Sequence, residues 1–375
     1  MTGTRRTTKR RGRAASLEVD AWTDAIGRLL ERFPRFWIRV GNWETRLLAE
    51  RLDRTSVSRP IYIAGLARSG STILLELLAS HPDTASHRYR DFPLVPALMA
   101  WNWFVDRAGR TEQLAVERAH RDRIKVTPES PEALEEIVWM AFFSKLHDPS
   151  VNAVLDEAAR HPCFEAFYRD HICKLLLLRD ASRYLAKGNY NVTRLRYLRK
   201  LFPDARFIVP IRDPTWHIAS LMKQHRLFSD AEGKDRRVVS HMRRSGHFEF
   251  GLNRVPVNVD GSRTAGEIVR LWKSGRDVAG WAAYWASVYG YVAAVLDDPA
   301  MAGSILVVRY EDLCSDPAAT LSTILDHCEL DDRGLAQAAR ATVSFPAYYE
   351  PSFTQAERNE IRSRTAAVAG RFGYG

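Results

Sequence analysis

The chain has 375 residues, 46% of them hydrophobic, 27% charged and 10 of them Trp, which excludes a disordered or collagen-like polymer and is enough to build a packed interior. Lys and Arg number 55 against 45 Asp and Glu, but six of those cations (Arg5, Arg6, Lys9, Arg10, Arg11, Arg13) precede the first acid, Glu18, and without them the balance is 49 to 45. A body that close to neutrality suits an enzyme for anionic ligands better than a broad duplex-binding surface, and no nucleic-acid partner is expected.

Residues 1–17 read as a solvated basic arm, with nucleic acid or an anionic membrane as the alternative use of such a charge run. Arg5-Arg6 resembles a twin-arginine signal, yet no apolar stretch follows before Glu18 and Asp20. The expectation is therefore a cytoplasmic protein. Residues 18–55 form a helical lead-in to the core, with apolar spacing at Trp22, Ile26, Leu29 and Leu30, then Trp43, Leu47 and Leu48, broken at Pro34. Residues 56–375 are expected to form one domain with helical insertions at about 93–180 and 226–300.

Within that domain, short apolar runs alternate with helical spacing. PIYIA (60–64) precedes a helix carrying Ile73, Leu74, Leu75, Leu77 and Leu78; RYLAK (183–187) precedes helical 192–202; RFIVPI (206–211) precedes a helix from Pro214; SILVVR (304–309) precedes a helix over Pro317–Cys328. Strand and helix in turn predict an α/β fold, a parallel sheet flanked by helices. Helical blocks at about 131–147, 163–180 and 264–297 predict a cap over the sheet edge, and 228–262 reads as a mobile segment or lid. The uncharged stretch 279–296 approaches membrane-span length, but Trp281, Tyr284, Trp285, Val288, Val292 and Val295 fit one buried helix face.

Two strand-to-helix junctions carry the chemistry. Gly65–Thr72, GLARSGST, has the GxxxxG spacing of a phosphate loop followed by Ser-Thr, so Ser69, Gly70, Ser71 and Thr72 would offer NH groups and a helix N-terminus to an anion. The usual loop lysine is absent; Ser71 occupies its place and Arg68 supplies a guanidinium fork three residues earlier. At the second junction, PIRDPTWHIAS (210–220), Asp213 and Pro214 suit an N-cap and first helical residue. Arg212 at the strand end and Ser220 nearly two turns into the helix can converge on a second anion.

This combination resembles the sulfotransferases that use 3′-phosphoadenosine 5′-phosphosulfate. RSGST (68–72) is closer to the RSGTT loop of the tyrosylprotein branch than to the KSGTT loop of the cytosolic branch. HPD (81–83), LFPDARFIVPIRDP (201–214) and RYEDLCSDP (309–317) also match, in the family's order. The resemblance implies a P-loop-like fold and transfer of a sulfonate from that co-substrate to a hydroxyl on a small molecule, glycan, lipid or peptide, with no metal. It implies that Arg68 and the loop meet the 5′-phosphosulfate, Arg212 and Ser220 the 3′-phosphate, and Lys187 the leaving-group oxygen. Tyr310 either contacts the adenine or is a buried aromatic.

The family presents its general base after the first helix. There SHRYRDF (86–92) lacks Glu and leaves Asp91 and His87, with Asp91 favoured. Glu132, Glu135 and Glu136 read better as the first turn of a helix opening at 131. Trp101, Trp103 and Trp139 either line an acceptor pocket or pack in the core. Cys163, Cys173, Cys314 and Cys328 lack CxxC spacing and read as reduced core thiols, and the histidines show no metal-binding spacing with acids. The alternatives are a P-loop kinase using ATP and a polyanion-binding module.

Overall fold

The computed structural model describes residues 19–108, 115–118, 120, 124–261, 263–345 and 350–375; the basic arm lies outside them. The described residues open with two helices, α1 (Ala21–Arg32) and α2 (Pro34–Leu47), which break at Phe33 where proline starts the second. The central sheet follows: β1 (Ile61–Ala64), β2 (Thr84–Ala85), β3 (Arg183–Gly188), β4 (Arg206–Ile211) and β5 (Ile305–Arg309), all parallel, in the order β2-β3-β1-β4-β5. Helix α3 (Ser71–Ala79) leaves β1, and α4 (Pro214–Lys234) leaves β4.

Strand alternation sorts side chains between the two faces. Ile61, Ile63, Leu185 and Ile208 pack on α3 and on the helices Pro317–Cys328 and Leu335–Thr342, whereas Tyr62, Ala64, Tyr184, Phe207 and Val209 join the larger core on the opposite face. With both faces covered, the strands read as near-continuous apolar runs, which is why the sequence exposes them. The uncharged stretch is the buried helix Asp277–Leu296, whose Tyr289 hydroxyl donates to the Pro210 carbonyl at 3.0 Å. Among the described residues, no helix is long and apolar enough to cross a membrane.

Several expectations are corrected. The helix expected over 131–147 spans only Glu136–Phe142. The block expected over 264–297 is two helices, Arg263–Lys273 and Asp277–Leu296, separated at Gly275, whose φ of 76° breaks the helix. Helix Pro162–Arg179 lies on the sheet face, where Tyr168 and Ile172 share the core of Tyr62 and Tyr184, rather than over the edge. The segment read as a lid continues α4 and forms the helix Arg236–Arg244, and it buries Phe228, Val238, Met242 and Phe250. Of the cysteines, Cys173 and Cys328 are buried, but Cys163 is exposed; all four are free thiols.

Candidate active site

The connections from β1 and β4 run to opposite sides of the sheet, so a crevice opens between their adjacent carboxyl ends, where ligands of open α/β sheets bind. Gly65 permits the approach: a Cβ there would lie 2.9 Å from the Pro210 carbonyl oxygen. The loop turns through left-handed backbone at Arg68 (φ 72°) and Gly70 (φ 100°). Ser69 is buried and its hydroxyl donates to the Leu66 carbonyl at 2.7 Å. His217 Nε2, on the second turn of α4, lies 2.8 Å from the Ala67 carbonyl; burial pulls this imidazole down to about 3, so it stays neutral and donates. Gly70 is the N-cap of α3 and provides no side-chain cap, which leaves the first NH groups of that helix facing the crevice.

At the end of β4, Asp213 caps α4 by accepting from Thr215 N (2.9 Å) and Trp216 N (3.1 Å). Arg212, one residue earlier, is only 4% exposed. Its guanidinium stacks 4.7 Å from the Tyr310 ring centroid, and neither Nε nor Nη2 has a hydrogen-bond partner among the described residues. A buried cation with two unused donors is costly unless a ligand completes it. Ser220 Oγ accepts from Arg68 Nε at 3.3 Å. Arg68, Gly70, Ser71, Thr72, Arg212 and Tyr310 line one cavity of about 690 Å³, within the usual range for small-molecule sites, about 300–1,000 Å³. Tyr310 closes over the loop: a Cβ on Gly70 would meet its ring at 2.7 Å.

A smaller chamber, about 30 Å³, shares Arg68, Ser71 and Thr72 with this cavity and adds Arg118, Glu132, Lys187, His247 and Glu249. Lys187 arrives on β3 in register with Ile63 of β1. Burial lowers its pKa, Arg118 and Arg68 lower it further, and Glu132 and Glu249 oppose them. Burial alone would raise Glu132, but Lys187, the Tyr89 hydroxyl, the Ala133 NH and Arg118 together hold it below the usual carboxylate range. Glu249 is brought down to about 2 against its burial by His247 and Asn189, and His247 is in turn raised against its burial by Glu249. Arg118 Nη1 reaches Thr72 Oγ1 at 3.4 Å.

A family model described as Sulfotransferase family matches residues 60–247, which is half the chain and holds both strand-to-helix junctions. The chain belongs to the sulfotransferase family. Protein-tyrosine sulfotransferase 1 of Danio rerio is 27% identical over 165 residues, 44% of this chain and 35% of that protein, so the chain spans about a third of the length of this curated relative. Among solved structures, sulfotransferase STF9 from Mycobacterium avium superposes with a TM-score of 0.51 at 14% identity, covering 89% of this chain and 82% of that one. Sulfotransferase STF1 from Mycobacterium tuberculosis H37Rv gives 0.47 at 18% identity, covering 91% and 86%. The Mycobacterium avium likeness concerns the fold.

The residues that the sequence reading assigns to the donor come together: Arg68, Ser71, Thr72, Arg212 and Tyr310 share one cavity, Ser220 touches Arg68, and Lys187 stands in the adjoining chamber. The residues expected as the base do not. Asp91 is fully buried and accepts from Arg179 Nη2 (2.6 Å), Asn102 Nδ2 (2.9 Å) and the Arg88 NH (2.8 Å). Against its burial, His87 and Arg179 hold its carboxyl far below the usual range. His87 is buried between Asp91 (3.5 Å) and His171 (3.2 Å). Neither lines the cavity or the chamber, because the turn Tyr89–Asp91 directs Asp91 inward toward Arg179.

Glu132 stands in the chamber instead. Since the helix opens at Glu136, the stretch before it is extended, and the Glu132 NH donates to the His87 carbonyl at 2.8 Å. The two prolines at 128 and 131 are the sequence signal for that extended stretch. Glu135 is buried among the hydroxyls of Tyr168 and Tyr184 and the Trp139 indole NH, and Glu136 pairs twice with Arg194 at 2.8 Å. Trp139 is a core residue, Trp101 donates to the Arg90 carbonyl and Trp103 is exposed; none lines either site cavity. Arg118, His247 and Glu249 carry no motif: Arg118 falls within the helical insertion expected at about 93–180, and His247 and Glu249 within the segment read as a lid.

Proposed function

We propose that this sulfotransferase moves a sulfonate group from 3′-phosphoadenosine 5′-phosphosulfate to the hydroxyl of an acceptor. The observation that carries the reading is Arg212: a buried guanidinium with two unpartnered donors, in the same cavity as the helix N-terminus of the Arg68 loop. Two separated anionic grips fit a nucleotide bearing phosphoryl groups on both sides of its ribose, and that nucleotide supplies the activated sulfonate. Arg68 and the NH groups at the start of α3 hold the 5′ side, and Arg212 with Ser220 holds the 3′ phosphate. Tyr310, stacked on Arg212 and closed over Gly70, walls the base-binding end.

In-line transfer shifts negative charge onto the bridging oxygen, where a fixed cation contributes most. Lys187 supplies that cation at the chamber, with Arg118 beside it. The acceptor hydroxyl must lose its proton, and Glu132, ionised and within the same chamber, takes it. His247 and Glu249, 3.6 Å apart and lining the same chamber, orient the hydroxyl. The four free thiols are in keeping with a cytoplasmic working site.

Calorimetry with adenosine 3′,5′-bisphosphate tests the reading: binding is expected without added Mg²⁺, and ATP with Mg²⁺ is expected to bind far more weakly. Preference for ATP with Mg²⁺ would return the kinase alternative. Turnover of labelled donor against hydroxylated compounds, followed by mass, then identifies the acceptor.

A further inference from the structure

Much of the apolar spacing that defines the lead-in helices does not face the core: Trp22, Leu29, Trp43 and Leu47 are exposed, and Ile26, Leu30 and Leu48 are half-buried. On α1 and α2 the buried positions are Asp24, Gly27, Gly41 and Glu44, small or ion-paired residues that let the helices lie close to the body. A Cβ on Gly41 would stand 2.3 Å from the Pro96 carbonyl, and one on Gly27 would stand 2.8 Å from Arg244. Asp24 and Glu31 pair with Arg244, and Glu44 pairs with Lys174. The hairpin is thus bound to the body by its acids and glycines together with Ile38 and the half-buried Leu30 and Trp37, and its remaining large side chains are left over.

Those side chains form one outward row. Trp22 (75% exposed), Leu29, Phe33, Phe36, Trp43 (57%) and Leu47 (64%) recur at three, four and seven residues along both helices, the spacing of a single helical face. An exposed arginine precedes four of the last five, Arg28, Arg32, Arg35 and Arg46 ahead of Leu29, Phe33, Phe36 and Leu47, whereas Asn42 precedes Trp43; a fifth, Arg39, precedes the half-buried Val40 of the same face. A helix turns about 100° per residue, so these arginines make a second row along one flank of the apolar one. Aromatic and leucine side chains edged by arginine are the composition of a helix lying in a membrane interface, with rings at the acyl boundary and guanidinium groups at lipid phosphates. A second copy docked on the same face would bring mostly further arginines to that row, because Asp24 and Glu44 are buried in their pairs with Arg244 and Lys174. A nucleic acid would satisfy the arginines but not the apolar row. The sequence just ahead of α1 adds six further cations.

We infer that the outer face of α1 and α2 is a membrane-docking surface that takes the interface of an anionic phospholipid bilayer. The inference is independent of the reaction assigned to the cavity on the sheet. The experiment is flotation of the full chain with phosphatidylcholine vesicles and with vesicles containing phosphatidylglycerol, accompanied by light scattering for oligomeric state. The chain floats with the anionic vesicles, less so as salt rises. The variants W22S/W43S/L47S and R32Q/R35Q/R39Q each lower partitioning at least about tenfold while unfolding at nearly the wild-type temperature. Failure to float overturns the inference, as does equal flotation on pure phosphatidylcholine. Undiminished flotation of W22S/W43S/L47S would assign the binding to charge elsewhere, and a dimer that this variant dissociates would make the face a contact between copies; either result rejects the bilayer.

Discussion

Replacing Arg212 with Met separates ligand binding from stability in a way that few substitutions do. Met keeps an apolar stem of similar reach and removes a guanidinium whose Nε and Nη2 have no partner within the described protein. In the nucleotide-free chain the change forfeits stacking on Tyr310, worth about 0.5–2 kcal/mol, and relieves the burial of an incompletely satisfied cation. The two effects oppose, so the unfolding free energy should move by no more than about 1 kcal/mol. In the complex, two charge-assisted hydrogen bonds of about 1.5–3 kcal/mol each disappear. Their sum, about 3–6 kcal/mol, weakens adenosine 3′,5′-bisphosphate about a hundredfold to ten-thousandfold. Adenosine 5′-monophosphate, which lacks the 3′ group, should bind wild type and variant alike. Titration calorimetry of both nucleotides against both proteins, with thermal melts alongside, reads the whole pattern. Equal losses for the two nucleotides, or none for either, would refute the assignment of Arg212 to the 3′ phosphate.

Other consequences follow from the same geometry. Glu132→Gln should lower kcat by about 10²- to 10⁴-fold per folded molecule, beyond the loss of stability expected when Lys187 and Arg118 lose a charge partner. Asp91→Asn should instead cost about 3–5 kcal/mol of stability by leaving Arg179 buried without its carboxylate, while the folded fraction still turns over; denaturant melts and rates normalised to folded protein distinguish the two. Gly70→Ala meets both a φ of 100° and the Tyr310 ring at 2.7 Å, so nucleotide affinity should fall, and Tyr310→Ala should cost less affinity in that chain than in the wild type. On acidification, His217 (about 3), His225 and His241 (each about 4), all lowered by burial, resist protons that the unfolded chain accepts near pH 6.5. The stability these groups contribute above that pH is lost as pH falls toward 4, so the melting temperature should begin to drop before the carboxylates titrate; a flat profile down to pH 4.5 contradicts this.

What the sequence made legible was whatever is encoded locally. The strands β1, β3 and β4 are largely buried on both faces and β5 is a half-buried edge strand, so all four appear as near-continuous apolar runs, and the loops that follow β1 and β4 carry glycine, proline and capping residues at fixed spacing. Arg68, Arg212 and Ser220 could be named because each sits at a set distance from such a signal. The proton acceptor could not be found that way. Asp91 and Glu132 are both carboxylates in irregular segments, and only the paths of the chain around the turn Tyr89–Asp91 and ahead of the helix at Glu136 decide which one turns inward to Arg179 and which meets Lys187. Arg118, His247 and Glu249 reach the chamber from distant segments with no local pattern. The lead-in misleads for a related reason: periodicity reveals a helical face but not whether that face meets the protein or its surroundings, and here the packed side is made of glycine and paired acids.

A crystal structure of the chain with adenosine 3′,5′-bisphosphate bears most directly on the central claim, that one crevice between β1 and β4 grips a nucleotide by both phosphates. The 3′ phosphate should lie against Arg212 and Ser220, with the 5′ phosphate on the NH groups that open α3. A nucleotide bound elsewhere, or bound here with Arg212 still lacking a partner, would contradict it.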